Sequence, residues 1–188
     1  IHDDTDSLVE ADGSADMGPV ACDPPLSIFG SATAARPYDL IRLTPSGGTG
    51  AWRFSLAEDQ SGALLNETTG AYLAGELSGT TDRIRLTDDG CLGMADYAIR
   101  VVNAMVISPI GGEVERGQSF QFRVEEGSGA FEFALVSARS GGEITPDGLY
   151  TAGAVTGADI VRIRDLETGQ TSDVALTVVR DVVLQPRP

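Results

Sequence analysis

Lysine is missing from the sequence altogether, and histidine is nearly so. All 13 basic residues are arginines, and the one histidine is His2. Without lysine the chain cannot form a Schiff base, place a P-loop lysine on a phosphate or build a Lys–Asn isopeptide cross-link. A lone histidine near the N-terminus gives a Ser-His-Asp or Cys-His arrangement no suitable base. We therefore predict no catalytic residues and expect a protein that is not an enzyme.

Positive charge is scarce, and long apolar runs are lacking. The formal net charge is -15, and a surface of that sign repels phosphate backbones and anionic lipid. No apolar run approaches the roughly 20 residues of a membrane helix, and the start has no signal-peptide pattern. We expect other protein subunits or a surface ligand as partners, with no nucleic acid and no membrane insertion. Because the first residue is Ile1 and not Met, we expect a processed form or a fragment.

The strongest signal that is present is an internal repeat. Residues 48–102 recur in residues 127–179 at an offset of 77 to 79 residues, and such self-similarity is the signature of a repeated structural unit. Two of the matches are Gly48-Thr49-Gly50-Ala51-Trp52 with Gly127-Ser128-Gly129-Ala130-Phe131, and Gly70-x-Tyr72-x-Ala74-Gly75 with Gly148-x-Tyr150-x-Ala152-Gly153.

The matched blocks alternate apolar and polar side chains with period two, which is typical of strands with one buried face. Turns rich in Gly or Asp separate them, and we place the acidic residues on these turns and on outward strand positions. The sequence therefore predicts an all-β fold of two tandem immunoglobulin-like β-sandwich domains. The residues expected to point inward are Trp52, Phe54, Leu56, Ile84, Leu86, Tyr97, Ile99 and Val101 in the first copy, and Phe120, Phe122, Val124, Phe131, Phe133, Leu135, Val161, Ile163, Val174, Leu176 and Val178 in the second.

The Gly-x-Tyr-x-Ala-Gly motif, with a Gly-x-Gly-Ala-aromatic strand before it and strands ending in Val-Val after it, resembles the bacterial Ig-like (Big) repeats of exported surface proteins. The resemblance covers residues 26–180. It implies stalks, spacers and adhesive modules at the bacterial cell surface or outside the cell, or decorations on phage particles. It implies no catalytic residues.

The repeat also sets the expected domain boundaries. We predict an acidic N-terminal extension over residues 1–25, a first domain over 26–102 and a second domain over 106–179. Residues 103–105 form a linker so short that it should limit bending between the domains. Residues 180–188 form a strand-like C-terminal extension.

Residues Val182, Val183 and Leu184 in this extension match the segment that opens the second copy. One interpretation is that the chain was cut from a longer array of repeats. The other is that these three residues add a strand to a neighbouring molecule by β-augmentation. The two functions left open are correspondingly a structural or adhesive module of a surface or secreted protein, and a self-assembling subunit, a homo-polymer, of an extracellular fibre or particle.

The sequence contains two cysteines, Cys22 before the first strand and Cys91 in a turn. They lack the spacing and the histidine of a zinc site, so we predict a Cys22–Cys91 disulfide that ties the extension to the first domain in an oxidising compartment.

No cofactor is expected, although carboxylates leave Ca²⁺ open. The candidate ligands are Asp3, Asp4, Asp6, Glu10, Asp12 and Asp16 in the extension and Asp88, Asp89, Asp165 and Glu167 at strand ends. The spacing lacks the glycine and glutamate of an EF-hand, so a solvated acidic surface is the preferred interpretation and we predict no metal ligands.

Overall fold

The computed structural model describes residues 20–180, and this part of the chain contains strands and no helix. The strands of the first half are β1 (Ser27–Gly30), β2 (Ala34–Ala35), β3 (Leu40–Ser46), β4 (Trp52–Glu58), β5 (Leu64–Leu65), β6 (Ala71–Leu73), β7 (Thr80–Asp88) and β8 (Met94–Val101). Those of the second half are β9 (Val106–Ser108), β10 (Gly112–Glu115), β11 (Ser119–Gln121), β12 (Arg123–Glu125), β13 (Phe131–Ala138), β14 (Glu143–Ile144), β15 (Leu149–Thr151), β16 (Gly157–Asp165) and β17 (Thr171–Val179). The predicted all-β class is confirmed.

Two four-stranded sheets make up the first half. Their strand orders are β1-β3-β6-β5 and β2-β8-β7-β4. All neighbours are antiparallel except β2, which runs parallel to β8. The chain therefore begins on the edge of one sheet as β1 and crosses to the other sheet as β2.

The second half repeats this topology strand for strand. One sheet has the order β10-β17-β16-β13, and its β10 again runs parallel to the last strand. The opposite sheet contains β11-β15-β14 and the pair β12-β9, with Phe122 between β11 and β12. Because β11 and β12 together occupy the place of β3, the two halves have one architecture.

Each half has its own apolar core between its two sheets. In the first core Ile41 and Tyr72 from one sheet meet Phe54 and Ile84 from the other. Full burial of one such side chain stabilises by about 1.5–3 kcal/mol. Of the residues predicted to point inward on the two central strands of each half, all but Tyr97 are buried: Ile84, Leu86, Ile99, Val101, Val161, Ile163, Val174, Leu176 and Val178.

The inward prediction fails for Trp52. This side chain is 37% exposed, and its indole Nε1 donates to the carbonyl of Gly47 at 2.9 Å. Trp52 is the first residue of β4, an edge strand, and such a strand has a neighbouring strand on one side only. The predicted inward residues at other edges and ends are only half-buried: Leu56, Tyr97, Phe120, Val124, Phe131, Phe133 and Leu135.

The described residues next to the first core include part of the predicted N-terminal extension. The amide of Cys22 donates to Leu92 O at 3.2 Å, and that of Leu92 donates to Val20 O at 2.8 Å. At the other boundary Met105, which the sequence assigns to the linker, is 7% exposed and packs in the second core. The segment between the two cores is correspondingly shorter than predicted.

Candidate functional site

Each sandwich contains a buried aspartate near the start of its longest strand. In the second sandwich Asp159 accepts hydrogen bonds from Ser140 N at 2.8 Å, Ser140 Oγ at 2.6 Å and Tyr150 OH at 2.7 Å. In the first, Asp82 accepts from the corresponding Ser61 and Tyr72. The prediction that acidic residues lie on turns and outward positions is therefore wrong for both, since neither has exposed surface.

This network explains the final glycine of the Gly-x-Tyr-x-Ala-Gly motif. The amide of Gly153 donates to Ser140 Oγ at 3.0 Å, and that of Gly75 donates to Ser61 Oγ at 3.0 Å. A Cβ on Gly153 would lie 1.9 Å from Ser140 O, and one on Gly75 would lie 2.0 Å from Ser61 O. No side chain fits there, so glycine is required by contact and not by turn geometry.

The networks fix the ionisation of their members. Burial alone would raise the pKa of Asp159, but hydrogen bonds from Ser140, Tyr150 and Gly142 outweigh burial, and the pKa is lowered. The pKa of Asp82 is lowered in the same way. Burial, with Asp159 as hydrogen-bond partner, raises the pKa of Tyr150 to about 12. Near neutral pH the carboxylates are thus charged acceptors and the phenols neutral donors.

In each sandwich a second buried aspartate lies at the opposite end of the same strand. Asp165 accepts from Ser128 N at 2.7 Å, Ser128 Oγ at 2.6 Å, Glu167 N at 3.1 Å and Thr168 N at 3.0 Å. Asp88 does the same in the first sandwich with Thr49, Gly50 and Gly90. These aspartates hold the loops at the N-terminal end of each sandwich in place.

The loops held by Asp165 meet the end of the first sandwich. Arg100, near the end of β8, donates from Nη2 to Glu167 Oε2 at 2.7 Å and to Ser128 O at 3.1 Å. Asp165 binds both of these acceptor residues, so the buried carboxylate positions them for the guanidinium. We call Arg100, Ser128, Asp165 and Glu167 the junction cluster.

Three further bonds cross the same boundary. The amide of Gly127 donates to Asn103 O at 3.2 Å, Asn103 Nδ2 donates to Glu126 Oε2 at 3.1 Å, and Thr33 Oγ1 donates to Glu167 Oε2 at 3.5 Å. The second sandwich is thereby bonded to the first through both backbone and side chains. The junction cluster is the site in this chain with the clearest role beyond folding a single domain.

The junction cluster is not repeated in the sequence. At the repeat offset Thr177 occupies the position of Arg100, and Gly90 occupies the position of Glu167. The sequence did not predict the cluster, because the prediction used the residues that the two copies have in common. Arg100 and Glu167 are not among them. The contact is specific to this pair of domains.

The other predicted site residues are placed as follows. Cys22 and Cys91 are joined in a disulfide across a separation of 69 residues. Val182, Val183 and Leu184 lie outside the described residues, as do Asp3, Asp4, Asp6, Glu10, Asp12 and Asp16. Of the strand-end carboxylates, those of Asp88 and Asp165 are taken by amide and hydroxyl donors.

Metal and membrane features are both absent from residues 20–180. No group of three or more His, Cys, Asp or Glu side chains in this range is arranged to hold a metal ion. The same range contains no helix long and apolar enough to cross a bilayer.

The topology and the repeated cores define the class: the chain is a tandem pair of immunoglobulin-like β-sandwich domains. No protein-family model and no curated protein matches it. Among solved structures it is similar to the C-terminal 282-residue fragment of intimin in complex with the intimin-binding domain of the translocated intimin receptor. The identity is 11% and the TM-score 0.52, over 79% of this chain and 62% of that fragment.

Two further solved structures show weaker similarity. Extracellular domains 3–5 of Drosophila OTK match with 10% identity and a TM-score of 0.46, over 84% of this chain and 62% of that one. Domains 4 and 5 of the S-layer protein SbsC match with 11% identity and a TM-score of 0.35, over 85% of this chain and 100% of that one. At these identities the intimin match supports the fold alone.

Proposed function

We propose that this chain is a non-catalytic structural module, a spacer or adhesive stalk, of a bacterial surface or secreted protein. The observation that carries the proposal is the junction cluster, because Arg100 of the first sandwich bonds both Glu167 and Ser128 of the second. Two sandwiches bonded end to end transmit position and force along their length.

The setting outside the cell has separate support. A disulfide between Cys22 and Cys91 suits an oxidising compartment, and the Gly-x-Tyr-x-Ala-Gly motif resembles the Big repeats of exported bacterial proteins. The net charge of -15 argues against nucleic acid and anionic membranes as partners. Other protein subunits or a surface ligand remain the partners we propose.

Small-angle X-ray scattering tests the spacer. We expect the wild-type profile to fit one arrangement of the two sandwiches, and Arg100→Met to require a broader set of arrangements. The matched control is Arg85→Met, because Arg85 also binds a carboxylate through two nitrogens, that of Asp96 at 2.8 and 2.9 Å, but lies within one sandwich. A wild-type profile that needs many arrangements would refute the proposal.

No cofactor is proposed for this role. We expect the melting temperature to be the same in calcium and in a chelator, since the strand-end carboxylates at Asp88 and Asp165 already have hydrogen-bond donors. A rise of several degrees in calcium would reveal a site and change this proposal.

The second candidate function is a self-assembling subunit of an extracellular fibre or particle that exchanges terminal strands. The edge strand β13 favours it, because an edge strand can pair with a strand from another molecule.

A further inference from the structure

Within residues 20–180 the strand β13 is open along one side. In this range it is the last strand of its sheet, and its one paired neighbour is β16. The amide of Leu166 donates to Ala130 O at 2.9 Å, and hydrogen-bonded and non-hydrogen-bonded pairs alternate along an antiparallel ladder. Glu132 therefore faces β16, whereas Phe131, Phe133 and Leu135 direct their N–H and C=O groups away from the sheet.

The corresponding edge of the first sandwich has one backbone hydrogen bond from a loop. There Phe54 N on β4 donates to Glu67 O at 2.8 Å, and Arg53 reaches the Glu67 carboxylate at 3.6 Å. The matching loop of the second copy is one residue shorter, and Thr145 takes the place of Asn66 in it, since their amides donate to Leu149 O and Ala71 O. No loop carbonyl within residues 20–180 accepts a hydrogen bond from Phe133 N.

An apolar groove runs beside the open edge. It has a volume of ≈ 390 Å³ and is lined by Phe131, Phe133, Ile144, Pro146, Leu166 and the acidic Glu132. Leu166 is 52% exposed, and Phe133 is half-buried, whereas its counterpart Phe54 is 1% exposed. A strand added to β13 would cover apolar side chains as well as satisfy backbone groups.

We propose that β13 binds the segment Val182–Leu184 of a second copy of this chain by β-augmentation. The support is the repeat itself: this segment matches residues 105–107, of which Val106 and Ile107 lie in β9 and pair antiparallel with β12. The segment therefore has the sequence of a β-strand, although β9 itself pairs in the sheet opposite to β13. The inference goes beyond the spacer function, which depends on the junction cluster.

Val182–Leu184 of the same chain lie too close in sequence to β17 to bind this part of β13. Ala138 and Val179 lie at the same end of the sheet, since they flank the paired start of β16. From β17 to the position beyond β13 is three strand spacings, about 14 Å, which uses about four extended residues. Phe133 lies about 17 Å further back along β13, so the chain's own Val182–Leu184 cannot reach it.

A tail from a second copy is free of this limit. Because the donor segment and the acceptor edge are different surfaces, the contact is heterologous. It builds a ring where the rotation between copies closes and an open chain of molecules where it does not. The net charge of -15 on each copy opposes association, so we expect it to strengthen with salt.

Sedimentation of the full chain tests the assembly. We expect the average mass to rise above 19.6 kDa as concentration increases, and deletion of residues 181–188 to restore the monomer. A full chain that stays monomeric at millimolar concentration overturns the proposal. Association that survives the deletion also overturns it, since it would mean that two β13 edges pair with each other.

Amide exchange locates the contact. A synthetic peptide of residues 180–188, added to the deletion variant, should slow exchange of the Phe133 and Leu135 amides at least about tenfold, because amides in a strand ladder exchange only on opening. The Phe54 amide, already bonded to Glu67, is the internal control and should not change. Slowing elsewhere but not at Phe133 would place the tail on another surface and refute the proposal.

Substitution of the groove gives an independent readout. Leu166→Lys should abolish peptide binding, whereas Leu77→Lys, at a leucine of similar exposure in the first sandwich, should leave it unchanged. Both leucines are more than half exposed, so both variants should have the melting temperature of the wild type. Equal peptide binding by the two variants would contradict the groove as the binding site.

Discussion

At the scale of single residues, the four buried aspartates organise the chain. Asp82 and Asp88 lie at the two ends of β7, and Asp159 and Asp165 lie at the two ends of β16. Each carboxylate accepts hydrogen bonds from amide and hydroxyl groups of nearby loops. Without the carboxylate these donors would lack a partner. Among the described residues no buried side-chain nitrogen or oxygen lacks a hydrogen-bond partner.

The phase of the strand pattern could have revealed these aspartates. Ile84 and Leu86 point inward, and with a period of two so do Asp82 and Asp88. Sequence reasoning placed them outside because a buried charge is costly unless paired. The partners Ser61, Ser128 and Ser140 lie 21, 37 and 19 residues away in sequence, and periodicity carries no information about them.

Replacing a network carboxylate should be costly. For Asp159→Asn we expect a loss of about 3 kcal/mol in the free energy of unfolding, because the amide nitrogen would face the donors of Ser140 and Tyr150. Urea denaturation measures it. The control is Asp173→Asn, which breaks an exposed pair with Arg162 and should cost far less, because exposed ion pairs contribute little to stability.

The lowered pKa values also set the acid limit of stability. Asp82, Asp159 and Asp165 have pKa values below the ordinary one in the folded state. Their contribution is therefore fully present above the unfolded pKa of about 3.9 and is lost as pH falls through the folded values. We expect the free energy of unfolding to be flat from pH 7 to about 5 and to fall steeply below about 4. A chain equally stable at pH 3 and pH 6 would contradict this.

The close approach at the motif glycine gives a sharp steric test. Gly153→Ala should destabilise by more than about 3 kcal/mol, because its Cβ would overlap the Ser140 backbone carbonyl, which cannot move away. Gly129→Ala has open space around the Cβ but a φ of +89, so it should cost only about 1–2 kcal/mol. Thermal unfolding of both variants measures the difference, and equal losses would argue against the contact.

At the scale of elements, strands with a strong alternation of apolar and polar residues were predicted correctly from the sequence. Strands with a weak alternation were not. The long alternating runs of β7, β8, β16 and β17 were predictable, and so were the buried apolar residues on their inward faces, but not the inward Asp82 and Asp159. The two-residue strands β2 and β5 are too short to show a period. The position of β4 and β13 at sheet edges depends on tertiary pairing, which explains why Trp52 is more exposed than its apolar pattern suggests.

At the same scale, the N-terminal segment contributes to stability through the disulfide. In the chain-entropy model a bridge spanning 69 residues stabilises by about 4 kcal/mol. We expect the double variant Cys22→Ser with Cys91→Ser to lower the unfolding temperature of the first sandwich and to leave that of the second unchanged. Calorimetry resolves the two, and an equal shift in both would contradict the assignment.

At the scale of the whole molecule, the junction cluster is the contact that we propose fixes the two sandwiches relative to each other. Its Arg100–Glu167 pair is partly exposed, with side chains 47% and 32% accessible, so it contributes only about 0–1 kcal/mol to stability. We therefore expect Arg100→Met to leave the melting temperature within a few degrees of wild type while freeing the orientation of the sandwiches. The pair was not predictable, since its two residues come from copies that differ at these positions.

The most direct test is a set of residual dipolar couplings measured on the full chain in solution. If each half folds around its own core and the junction cluster fixes the pair, couplings from residues 26–102 and 105–179 will fit the two sandwiches with one common alignment tensor, and in Arg100→Met the tensors will diverge. Couplings of the wild-type chain that demand two tensors of different magnitude would contradict the account.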